Sequence, residues 1–115
     1  MKNRQNRRPG KRMVQLVPVQ IEAESWIEAL FLVVLQLRSD RANGLHFAEN
    51  WLAGAYQIAS RAEARGYELP AIEILAALIS EEQTDEEAGI FLAALEAGGW
   101  ITEQDFVTAF LEGME

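Results

Sequence analysis

Five carboxylates fall within seven residues: Glu81, Glu82, Asp85, Glu86 and Glu87. Such a run can attract a cation, or it can present negative charge to a basic protein and speed its approach. Helix N-termini favour acids and solvated loops collect them, so the spacing points to a protein-docking surface before a metal site. The opposite charge sits at the start of the chain. Residues 1–12 contain Lys2, Arg4, Arg7, Arg8, Lys11 and Arg12 and no acid, a charge of +6. Residues 13–115 contain only Arg38, Arg41, Arg61 and Arg65 against all eighteen acids, a charge of −14. Within the basic arm, Arg4, Arg7, Arg8, Lys11 and Arg12 could neutralise several phosphates, with binding that weakens steeply in salt. The arm has no aromatic residue to stack on bases, and the acidic remainder would repel a duplex lying against it. The other readings are a solubilising tail, or an arm folded onto an acidic surface of its own or another subunit.

The chemistry-bearing residue types are otherwise sparse. There is no cysteine, which removes disulfides, thiolate zinc sites and thiol nucleophiles. Both lysines lie in the arm, so the body has no Schiff-base or general-base lysine. His46 is the single histidine, and no G-x-S-x-G elbow, P-loop or G-x-G-x-x-G accompanies it. The acids fall on polar faces and helix starts. No enzyme activity, cofactor or metal is expected. Of the three tryptophans, Trp26 and Trp51 lie on apolar stripes. Trp100 follows two glycines in a turn and is the expected half-exposed anchor for a protein partner.

The elements that must position these groups are helical. The chain of 115 residues is half apolar, which fits one small domain whose burial a partner subunit often completes. Its organising stretch is Trp26 to Leu37, WIEALFLVVLQL, in which only Glu28 and Gln36 are polar. An amphipathic surface helix has one apolar stripe. This one is apolar on nearly every side and is predicted to be a central helix, starting near Glu22 to Ser25 and stopping around Arg38. Ser39 to Gly44 follow as a loop with an Asn-Gly turn. A second helix is predicted from about His46 to Arg65, with Phe47, Trp51, Ala55, Ile58 and Ala62 on one face and Gly66 as its left-handed stop. Ala53-Gly54-Ala55 would admit a close neighbour. Pro70 opens a third helix with Ala71, Ile74, Leu75 and Leu78 buried. Thr84 and Glu87 form a capping box for a fourth, carrying Ala88, Phe91, Leu92 and Leu95 and ending at Gly98-Gly99. Thr102 caps a fifth, with Phe106, Val107, Phe110 and Leu111. Residues 1–12 are expected to be disordered. Met13 to Ile21 reads as one short edge strand or an extended strap because Pro18 rules out a central strand. Its candidate partners are Trp100-Ile101, another subunit, or a binding protein.

Gly99 to Phe106 resembles the latter half of an EF-hand calcium loop, with Gly99, Ile101 and Asp105 at the glycine, apolar and acidic positions. The first half departs from that pattern: Ala94, Glu96 and Gly98 fall where oxygen ligands are needed, so calcium binding is not carried over. In composition alone, the chain resembles small acidic accessory proteins of phages and mobile elements, including inhibitors of defence nucleases. The expectation is therefore an all-α compact bundle of about five helices spanning 13–115, behind the arm of 1–12. Its expected function is a non-catalytic protein-interaction role as inhibitor, immunity protein or adaptor, plausible also as a homodimer. The alternative is a nucleic-acid-associated regulator or packaging protein that uses the arm. A cytoplasmic setting without membrane contact is expected, because no apolar run approaches the ~20 residues of a spanning helix.

Overall fold

Ser25 starts the first helix by accepting the Glu28 N–H on its hydroxyl at 3.3 Å, while the Glu28 carboxylate takes the Glu24 N–H at 2.6 Å. In this computed structural model, which describes residues 12–15, 20–44 and 49–111, helix α1 runs Trp26–Ala42. It continues a turn beyond the predicted stop at Arg38. Asp40 is buried and accepts a 2.9 Å hydrogen bond from Gln36, and Asn43 closes the last turn through Ser39 O. The Asn-Gly turn follows, with Gly44 at φ 70°. The remaining helices are α2 (Glu49–Ala64), α3 (Ala71–Ile79), α4 (Asp85–Ala97) and α5 (Glu103–Phe106), which widens into a π-helical turn over Val107–Leu111. The bundle is all-α in its core, as the apolar spacing predicts.

The segment ahead of α1 differs from the single-strand reading. Strands β1 (Arg12–Gln15) and β2 (Gln20–Ala23) form an antiparallel hairpin in which Arg12 pairs with Ala23 and Val14 with Ile21. The strand partner is thus the chain itself, not Trp100-Ile101, and Pro18 falls between the strands. Arg12, the last residue of the basic arm, already belongs to β1. Arg4, Arg7, Arg8 and Lys11, together with His46 and Phe47, lie outside the described residues.

Helix α1 packs against α2, α3, α4, α5 and β2. Ala29, Leu30, Val33, Val34 and Leu37 are buried, while Trp26, Ile27, Phe31 and Leu32 are half-buried at the margin of the core. Helices α2 and α3 contribute Trp51, Ala55, Ile58, Ala62, Ala71, Ile74, Leu75 and Leu78, all buried as predicted. Phe91 is only partly buried, whereas Ala88, Leu92 and Leu95 are fully enclosed. Pro70 stands one residue ahead of the first helical residue of α3. It offers no side-chain cap, and the Glu63 carboxylate instead accepts the Ala71 N–H at 2.8 Å. The predicted capping box of Thr84 with Glu87 forms, and Thr102, the predicted cap of the fifth helix, also makes a box with Asp105. The centre of the bundle leaves a void of only about 10 Å³ between Leu30, Val34, Ile58, Ile74 and Leu92, so the core is closely packed there.

Close approach depends on two glycines. Phe31 of α1 lies against Gly89 of α4, and Phe110 lies on Gly54 of α2, where a methyl group would stand 2.6 Å from its ring. Alanine at an ordinary mid-helix site would gain about 1 kcal/mol over glycine. Here the clash with a buried ring reverses the sign, and Gly54→Ala is expected to destabilise the fold by about 1–2 kcal/mol in chemical denaturation. A stabilised variant would contradict this packing.

Candidate functional site

The five carboxylates gather where α3 turns into α4, and a side chain from α1 fixes that corner. Arg38 is nearly buried. It donates through Nη1 to the carbonyls of Leu78 (2.9 Å) and Ser80 (3.1 Å), through Nη2 to Gln83 O, and through Nε to Asp85 Oδ1 at 2.7 Å. A guanidinium suits this position because its donors form a planar fork, whereas an ammonium concentrates its charge at a point. The Arg38 charge also lies at the C-terminal end of α3 and beside the first residue of α4, offsetting the unpaired carbonyls of one helix and an acid of the next. The Ser80 hydroxyl accepts the Glu82 N–H at 3.0 Å and tightens the turn further.

On this frame the five acids have different duties. All five are exposed. Asp85 is paired with Arg38, and the Glu87 carboxylate takes the Thr84 N–H at 2.8 Å in the capping box. The side chains of Glu81, Glu82 and Glu86 point their charge at solvent without a partner among the described residues. Beside them opens a groove of about 510 Å³, with Leu35, Ala42 and Ile79 as apolar lining, Ser39 and Ser80 as polar lining, and Arg38, Glu81 and Asp85 at its charged side. Among the described residues no group of three or more His, Cys, Asp or Glu is placed to hold a metal, and no helix is long and apolar enough to cross a membrane.

Trp100 does not join this corner. Helix α4 separates it from Asp85 by twelve helical rises over Asp85–Ala97, about 18 Å. The indole is half-buried, as its place in a turn predicts. It is also tied down: edge-on to Tyr67 at 5.3 Å, laid over Gly98, and with its carbonyl accepting Arg65 Nη1 at 2.8 Å. The predicted protein-binding set therefore divides into a carboxylate corner and a tryptophan packed into the opposite end of α4. Of the three tryptophans, only Trp51 is buried; Trp26 meets Phe106 at 6.2 Å from a half-buried position.

Asp105, the residue that resembles a calcium ligand, is fully committed elsewhere. Its carboxylate is buried and receives a two-pronged bond from Arg65 at 2.6 and 3.0 Å, the Thr102 N–H at 2.9 Å, and Arg61 at 3.5 Å. Burial works to raise its pKa, but the Arg65 hydrogen bonds and the Thr102 N–H together outweigh it and hold the carboxyl below its ordinary value. Arg65 is correspondingly held more firmly protonated by Asp105. The sequence clue to Arg38 and Arg65 is that every cation in the body is an arginine, the type suited to forked, partly buried pairs. Comparison with family models, curated proteins and solved structures finds no match to this chain.

Two outcomes follow from these pairs. Arg38→Met leaves three carbonyls and Asp85 without their donor, and is expected to cost about 2–4 kcal/mol, with Arg38→Lys recovering only part. Thermal unfolding measures the loss, and faster amide exchange at residues 80–84 locates it. For Asp105, the folded pKa lies below the unfolded value of 3.8. Its stabilisation is complete above that value and is lost as pH falls through the folded pKa. Asp105→Asn is expected to be about 1–3 kcal/mol less stable at pH 7, the solvent around Arg61 and Arg65 trimming the effect. The gap to the parent should close below about pH 4. A gap that stays constant down to pH 2 would refute the pairing.

Proposed function

We propose that this protein is a non-catalytic interaction module that docks a basic partner protein on the α3–α4 corner. The observation that supports the reading is the combination at that corner. Glu81, Glu82 and Glu86 are exposed with no partner among the described residues, beside a groove with aliphatic lining, on a turn whose backbone Arg38 holds through three carbonyls. A basic partner would gain long-range attraction from the carboxylates and contact area from Leu35 and Ala42. Preorganisation lowers the ordering cost of binding, since the turn is fixed before the partner arrives. An inhibitor or adaptor acting on a basic, nucleic-acid-handling protein fits this chemistry, because carboxylates fixed on a rigid turn can occupy sites made for phosphates.

The test is affinity capture from the source cell under nuclease treatment, using the full chain and its Glu81→Gln/Glu82→Gln/Glu86→Gln variant. The parent is expected to retain a basic protein that the variant loses by tenfold or more, with thermal stability of the two within a few degrees. Capture that vanishes on nuclease treatment would favour the nucleic-acid reading built on Arg4, Arg7, Arg8, Lys11 and Arg12. Capture indifferent to the three substitutions would refute docking at this corner.

A further inference from the structure

The groove beside Arg38 has a definite chemical preference. Leu35, Ala42 and Ile79 line it with aliphatic surface, Glu81 and Asp85 supply negative charge, and the one cation among its described lining residues, Arg38, is already bonded to Leu78, Ser80, Gln83 and Asp85. The side chain that satisfies such a site is a cation on a long apolar stem, which lies along the aliphatic wall and holds its head at the carboxylates. Few cations of the body could serve: Arg61 and Arg65 are engaged with Asp105, and Arg41 is exposed but does not line the groove. The six remaining cations of the chain all lie in residues 1–12.

Their attachment point is within reach. Arg12 pairs with Ala23, directly before the start of α1. From Trp26 to Arg38 is twelve helical rises, about 18 Å. Eleven extended residues span about 36 Å, enough to pass round the bundle and still lay several cations against the corner. A tethered segment also meets its site at an effective concentration in the millimolar range, so a contact too weak to form between separate molecules is populated within one.

We propose that residues 1–11 occupy this groove in the same molecule, with their cations over Glu81 and Asp85, and so act as an internal competitor that a basic partner must displace. This rests on the reading that the corner is a docking surface for basic partners, and adds to it a regulator carried on the same chain.

Lys2 and Lys11 are the only lysines, which makes the contact directly readable. Zero-length carbodiimide coupling of the dilute full chain joins a lysine amine to a carboxylate it touches. Lys11 adjoins β1 and reports its own surroundings, so the informative crosslinks are those of Lys2. They are expected in the monomeric product, at least fivefold enriched on Glu81, Glu82, Asp85, Glu86 and Glu87 over the exposed Glu63, Glu68, Glu73, Glu96 and Glu103. The enrichment should fade at ionic strengths near ~0.5 M, as screening shortens the reach of the charges. Lys2 crosslinks spread evenly over the exposed acids would overturn the proposal, as would corner crosslinks confined to covalent dimers. The two readings fail separately: scattered crosslinks remove the arm contact and leave partner capture intact, whereas capture indifferent to the corner substitutions removes the docking function whatever the crosslinks show.

Discussion

The whole arrangement follows from one helix that cannot face water on most of its sides. Along Trp26–Leu37 only Glu28 and Gln36 are polar, and the hydrophobic effect acts on the rest whichever way the helix turns. A single packing partner would cover one stripe of such a cylinder. Four helices and a strand surround it. The coverage is still incomplete, since Ile27, Phe31 and Leu32 remain half-buried and Ile72 and Ile90 stand outside the core. The molecule has spent its short helices on the centre, and the margin is where apolar surface is left over.

Once α1 is central, the connections between the outer helices must be held from within, and arginines do this. Arg38 leaves α1 to bond the turn between α3 and α4, and Arg65 leaves α2 to bond the cap of α5 and the carbonyl of Trp100. Both are charges brought near a low-dielectric core, a costly placement unless every donor is used. Arg38 is bonded to Asp85 and to the carbonyls of Leu78, Ser80 and Gln83, and Arg65 to Asp105 and the Trp100 carbonyl, and no buried side-chain polar atom among the described residues lacks a partner. The same contacts settle the fate of the acids: Asp85 and Asp105 are absorbed into the frame, while Glu81, Glu82 and Glu86 are left outside it.

What could be read from the sequence was what is local. The stripe Ala71, Ile74, Leu75, Leu78 and the box Thr84-Glu87 are written within four to eight residues, and both form as expected. The left-handed stop at Gly66 and the close approach at Gly54 are equally local, since only glycine tolerates either. The end of α1 was misjudged because Ser39, Asp40 and Asn43 all favour turns, yet their side chains here bond back into the helix or to Gln36. The hairpin is not legible because Met13 to Ile21 reads as one extended segment, whereas its two ends pair with each other, Val14 with Ile21 and Gln15 with Gln20. Arg38–Asp85 and Arg65–Asp105 span 47 and 40 residues, and no periodicity within a helix reports a bond of that separation. The carboxylate corner was legible as composition, and its division from Trp100 was implicit in the helix predicted between Thr84 and Gly98.

The pairing of charges also explains why the exterior is one-sided. Three of the four body arginines are already paired, Arg38 with Asp85 and Arg61 and Arg65 with Asp105, so little of their charge is left to offset the other surface acids. Surface acids then repel one another across a small body, a penalty that the apolar burial around α1 must exceed for the fold to stand. A basic segment arriving at Glu81, Glu82 and Glu86 relieves that repulsion at little desolvation cost, because the carboxylates remain at the rim and only the aliphatic stems are buried. The acidic character of the exterior is therefore a consequence of how the core was closed. Cations used to join helices cannot also balance the outside, and six of the ten cations of the chain lie in residues 1–12.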